Sequence, residues 1–166
     1  MNRINYELKN LNIWLATSIA IVFIFIDFIV WCVVGSPMCV LHLISCKIAV
    51  FPLWIFGLAD FLSFAAVGFS LGAVLGDRSP VCEVAKYRGA FYFIISVTLA
   101  FLHHAILFKS ALFLVALIVS ALQTSFMVIA VINFFRVSKS AFVIALVSVL
   151  WNVYLLVLNF VTFFLI

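Results

Sequence analysis

The chain has 166 residues, of which 69% are hydrophobic and 8% are formally charged, with a net charge of +4 and a mean hydropathy of +1.45. Soluble domains carry about 25% charged residues, so this composition excludes a soluble globular domain, a disordered segment and a small disulfide scaffold. A bilayer-spanning helix needs ~20 mostly apolar residues, so about five spans use up the chain and leave no room in it for a catalytic domain outside the membrane.

The expected fold is an all-α integral membrane protein, a single five-helix transmembrane domain over 1–166. A β-barrel would show alternating apolar and polar residues in short segments. Here the apolar runs continue for twenty residues or more, as in Ala111 to Phe135, which requires helices whose backbone polar groups are satisfied within the span. The first span is expected at about 12–34, ending before Gly35-Ser36-Pro37. It is too long for the core of a cleavable signal peptide and contains Asp27 and Trp31, so it reads as retained. The second, 48–75, carries Pro52 in its opening turns and ends before Gly76-Asp77-Arg78-Ser79-Pro80. The third, 90–108, stops at Lys109-Ser110. The fourth, 111–135, is separated by Arg136-Val137-Ser138-Lys139 from the fifth, 140–166.

With five spans, Arg3, Lys9, Arg78, Lys86, Arg88, Arg136 and Lys139 share one side, against Lys47 and Lys109 on the other. The positive-inside rule then puts the N-terminus in the cytoplasm and the C-terminus opposite. The net charge is thereby explained as topology, with no nucleic-acid partner. Which membrane holds the chain is not encoded in these features.

Cys32, Cys39, Cys46 and Cys82 are dispersed, with no zinc-ligand spacing. No metal site is expected. A Cys39–Cys46 disulfide in the first loop is one reading, and free thiols at the membrane edge the other. Gly68, Gly72 and Gly76 fall on one helix face that admits another backbone closely. Packing within the bundle is the first reading of that face, and a homodimer contact the second.

Ionisable residues within spans are costly and therefore functional candidates. These are Asp27, Asp60, His103 and His104. Adjacent histidines point about 100° apart, so one imidazole is expected to face the interior, with His104 read as reaching the interface. No hydrolase, phosphate-loop or kinase signature is present, and the chain is not expected to be an enzyme.

The second span reads Phe51-Pro52-Leu53-Trp54-Ile55-Phe56-Gly57, followed by Phe64 and Gly68. This resembles the Pro-Pro-x-Trp-Val-Phe-Gly signature of the TspO/MBR family, the tryptophan-rich sensory and translocator proteins. Lys47 resembles the lysine that precedes that signature. Phe134-Phe135-Arg136-Val137-Ser138-Lys139-Ser140-Ala141 is similar to the family's Phe-x-x-Val-Ser-x-x-Ala. Trp151 followed by Leu158-Asn159 is similar to its last-span pattern.

The resemblance implies a five-helix bundle with a pocket opening toward the first loop, a hydrophobic ligand such as a tetrapyrrole (porphyrin) or sterol, and a homodimer. The residues it places at the pocket are Trp54, Phe56, Asp60 and Phe64 from the second span. Ser96, Ala100 and His103 would come from the third, and Ser148, Trp151 and Leu155 from the fifth. Asp60 and His103 stand where the family has pocket tryptophans. An isolated carboxylate in hydrocarbon is costly, so these two are expected to lie within direct or one-water hydrogen-bond reach of each other. No obligatory cofactor is implied; a bound porphyrin or haem is, with His103 a candidate iron ligand.

Three functions follow as expectations. The first is binding, transport or sensing of a hydrophobic ligand inside the bundle. The second is a small proton- or ion-coupled transporter or channel using Asp27, Asp60 and His103. The third is a ligand-free structural bundle. In each, the lipid bilayer is the constant partner.

Overall fold

The computed structural model describes residues 12–34, 52–77, 83–110 and 112–165. They form five helices: α1 (Ile13–Val34), α2 (Leu53–Gly76), α3 (Glu83–His104), α4 (Phe113–Val137) and α5 (Lys139–Leu165). All five are long and apolar enough to cross a membrane. Among the described residues there is no strand. The first loop, with Lys47, Cys39 and Cys46, lies outside the described residues, as does Cys82.

The helix ends follow from local chemistry. Pro52 precedes α2 and is not inside it: its carbonyl accepts from Ile55 N at 2.9 Å and Phe56 N at 3.0 Å. A residue without an N–H suits a position where that N–H would have no helical partner. α3 begins at Glu83, before the apolar run that marks the third span, because hydropathy registers the hydrocarbon-immersed part and not the turns that reach the headgroups. Those turns carry Glu83, Lys86 and Arg88, and Lys86 Nζ donates to the Asp77 carbonyl just past α2 at 2.7 Å.

Past His104 the chain winds into a π-helical turn, Ala105–Ser110, before α4 begins. Ser138 separates α4 from α5. Its extended backbone (φ −144°, ψ 124°) ends α4, while its hydroxyl accepts from Ala141 N at 3.3 Å at the start of α5.

The main helix contacts pair α1 with α2, α2 with α5, α5 with α4, and α4 with α3. α1 meets the rest along one stripe: Ala16, Ala20 and Asp27 are buried, while Trp14, Ile21 and Phe25 face outward. The glycine face of α2 is filled by this stripe. A Cβ at Gly68 would lie 2.7 Å from Ala20 Cα, and one at Gly72 would lie 2.5 Å from Ala16 Cα. These backbones touch because both residues lack a side chain there. The glycine face is therefore used within the chain. Behind it, Phe64, Val67, Val74, Phe93, Met127 and Phe134 form the main apolar core across α2, α3 and α4.

Candidate functional site

Asp60 is the polar centre of the bundle. It lies in α2, 1% exposed, and its carboxylate is met by side chains from three other helices. Trp31 Nε1 of α1 donates to Oδ2 at 3.1 Å and Trp151 Nε1 of α5 to Oδ1 at 2.8 Å. His104 Nε2 of α3 lies 3.0 Å from Oδ2. Hydrogen-bonded partners on this scale are what a carboxyl group needs to be tolerated in such a place.

The partner of Asp60 is thus His104, and the expected pairing with His103 is corrected. His104 is 4% exposed and does not reach the interface. One helical residue is a rotation of about 100°, so a one-residue difference decides which imidazole faces α2. His104 Nδ1 sits 2.8 Å from the Ala100 carbonyl, which can only accept, so Nδ1 carries a hydrogen. His103 turns instead to α5, where Asn159 Nδ2 lies 2.8 Å from its Nε2.

Beside this centre is an internal cavity of about 20 Å³. Asp60, Ser63, Phe64 and Val67 line it from α2, and Ser96, Val97, Ala100 and His104 from α3. Gln123 and Met127 of α4, with Trp151, Asn152 and Leu155 of α5, complete the wall. Space of this size admits about one water-sized guest.

A polar seam ties the wall together. Ser96 Oγ donates to the Gln123 carbonyl at 2.9 Å, the Gln123 side-chain amide donates to Asn152 Oδ1, and Asn152 Nδ2 donates to the Ser148 carbonyl at 2.9 Å. Ser148 Oγ closes the run on the Ser63 carbonyl at 2.8 Å.

The structure brings Asp60, Phe64, Ser96, Ala100, Trp151 and Leu155 to this wall together. Trp54 stands apart, 68% exposed on the outer face of α2. Phe56 lies behind the wall, edge-on to Trp151 with ring centroids 5.1 Å apart. Ser148 is behind it too, in the seam, and His103 faces Asn159.

Sequence reasoning missed Trp31, Gln123 and Asn152. A signal existed for each. Trp31 follows Asp27 by one helical turn on the bundle-facing stripe. Gln123 and Asn152 are amides inside apolar spans, where an unpartnered amide is costly.

Residues 41–165 match the model of the TspO/MBR family. No curated protein and no solved structure matches the chain. The matched segment covers α2 to α5, and α1 with Asp27 and Trp31 precedes it.

Proposed function

From the chain's membership of the TspO/MBR family, a family of binding- and transport-type membrane proteins, we propose that it binds a hydrophobic ligand of the tetrapyrrole or sterol class inside the bundle, with a polar group of the ligand meeting Asp60 and His104. The observation that carries this reading is the buried Asp60 carboxylate at the cavity wall, held by side chains of α1, α3 and α5. A polar centre built from so many helices is placed to orient a guest, while Phe64, Val97 and Leu155 supply apolar contact.

The size of the cavity adds a condition. A pocket for a drug-sized ligand holds about 300–1,000 Å³, far more than the space between these helices. Ligand binding is therefore coupled to widening of the bundle, and a ligand that enters must separate α2 from α3 or α5. That coupling suits a sensing role as well as carriage. The charge distribution supports a cytoplasmic N-terminus. A second copy, in a homodimer, would dock on a surface other than Gly68 and Gly72.

The test is a titration of the detergent-purified chain with protoporphyrin IX, haem and a sterol, read by absorbance and thermal stability. Saturable stabilisation that weakens in Asp60→Asn is the expected result. A Soret shift lost in His104→Ala but kept in His103→Ala would place haem iron at the cavity. Absence of any stabilisation would overturn the reading and favour a ligand-free bundle.

A further inference from the structure

Among the described residues, the buried side-chain atoms without a hydrogen-bond partner are His103 Nδ1 and both carboxyl oxygens of Asp27, and Asp27 lies beside the Asp60–His104 pair. It lies in α1, 0% exposed, and neither carboxyl oxygen has a hydrogen-bond partner among the described residues. Protonation alone would leave an O–H with no acceptor, so the cost of burial stands in either state. The groups facing it are Asp60 and His104: one ligand atom from each of the three lies within 4.8 Å of the others.

We propose that Asp27, Asp60 and His104 form a binding site for one divalent transition-metal cation of the Zn²⁺ type, inside the membrane between α1, α2 and α3.

Four features carry this. The donor set is two carboxylate oxygens and one imidazole nitrogen, which suits Zn²⁺, Fe²⁺, Mn²⁺ or Co²⁺. Ca²⁺ and Mg²⁺ prefer more oxygens. The imidazole is oriented as a ligand, since Nδ1–H donates to the Ala100 carbonyl and Nε2 is aimed at the carboxylates; the proton that Nε2 shares with Asp60 is released to solvent when the cation binds. Metal-binding histidines are commonly fixed in this way, by a backbone carbonyl at the other nitrogen. The indoles of Trp31 and Trp151 orient the Asp60 carboxylate, as outer-shell donors do.

The last feature is charge. A divalent cation with two carboxylates and a neutral imidazole sums to zero, the arrangement that low-dielectric surroundings favour. Donors on a tetrahedral Zn²⁺ with bonds of ~2.1 Å lie about 3.4 Å apart. Asp27 therefore swings inward to close the site, and it breaks no hydrogen bond in doing so. A fourth position opens toward the cavity, which Asp60 and His104 also line. Asp60 and His104 serve both this site and the ligand reading, whereas Asp27 lies outside that wall and outside the segment matched to the family, so Asp27 is the residue that tells the two apart.

The experiment uses the full chain, tag-free, purified in detergent and stripped with a chelator. Zn²⁺ uptake is measured by equilibrium dialysis, and Co²⁺ is followed by its visible spectrum. The expected result is one ion per chain, with affinity at least tenfold weaker in the isosteric Asp27→Asn, and Co²⁺ d–d bands of a nitrogen–oxygen site. No stoichiometric uptake, or uptake unchanged in Asp27→Asn, would overturn the site and leave a water or proton as the guest of Asp27. A thiolate charge-transfer band would overturn it in favour of cysteine ligation, and the wild-type spectrum decides this even if the variant does not fold. Protoporphyrin IX is titrated into the same preparations: porphyrin binding without metal uptake overturns this inference alone.

Discussion

Asp60 Oδ2 and His104 Nε2 meet at 3.0 Å although 44 residues separate them in the chain. The contact joins α2 to α3, two helices that otherwise touch little. Because His104 Nδ1–H is committed to Ala100, the two residues share the remaining proton, and their combined charge is zero wherever it sits. A neutral pair can stay in the bilayer where a single ion would be expensive.

Breaking this pair from one side should be costly. Asp60→Asn leaves an imidazole and two indole donors facing one carbonyl oxygen, and a loss of about 3–5 kcal/mol is expected from breaking buried pairs. Unfolding in mixed micelles measures it. His104→Gln should cost less when added to Asp60→Asn than alone, because the partner is already gone. Additive losses would mean the two side chains are not coupled.

The contact of α1 with α2 should depend on hydrogen atoms at two positions. Gly72→Ala places a methyl group against the Ala16 backbone and Gly68→Ala one against Ala20. Each should destabilise by about 1–3 kcal/mol, as overpacking does. Gly57→Ala is the control: its added Cβ would lie 3.5 Å from the Trp31 ring, an ordinary contact. Cysteine cross-linking between α1 and α2 should fall in the first two variants and persist in the third.

The tryptophans should separate into two spectroscopic classes. Trp54 is 68% exposed in the first turn of α2 and Trp151 is 9% exposed beside Asp60. Brominated lipids should therefore quench Trp54 strongly and Trp151 weakly, which single-tryptophan variants resolve. Trp151→Phe should cost about 1.5–3 kcal/mol, the value of a hydrogen bond to a charged group, while Trp54→Phe should be near neutral.

Filling the cavity should block a guest without dismantling the bundle. Ala100→Val adds two methyl groups at the wall while the Ala100 carbonyl stays in place for His104. Saturable ligand stabilisation should disappear in this variant, and the far-UV circular dichroism should be unchanged. Retained binding would put the ligand elsewhere on the molecule.

How much of this was legible in the residues differs by level. Apolar runs of twenty or more identify the helices because nothing else satisfies a backbone in lipid. Gly68 and Gly72 announce a close approach by their spacing. The Pro52 and Trp54 motif and the Val137-Ser138 link carry the family likeness. The pairing of Asp60 was not legible, because His103 and His104 differ by one residue and no apolar pattern tells which of two adjacent imidazoles faces inward. Trp54 shows the limit of a motif: its position in the pattern suggested a pocket, and the helix turns it outward. Trp31 was readable only in combination with Asp27, since a tryptophan near a span end is ordinarily a belt residue.

The close approach at Gly68 and Gly72 also sets an order of events during synthesis. Chains fold from the N-terminus as they are made, and the α1–α2 hairpin has all its contact residues once Gly76 has entered the membrane. Trp151, which holds Asp60 from the far side, is made 91 residues after it. For that interval the newborn hairpin carries Asp27 and Asp60 together in hydrocarbon, without the base or the last indole that will shelter them. A hairpin whose backbones touch at Gly68 and Gly72 thus still needs the rest of the chain to arrive.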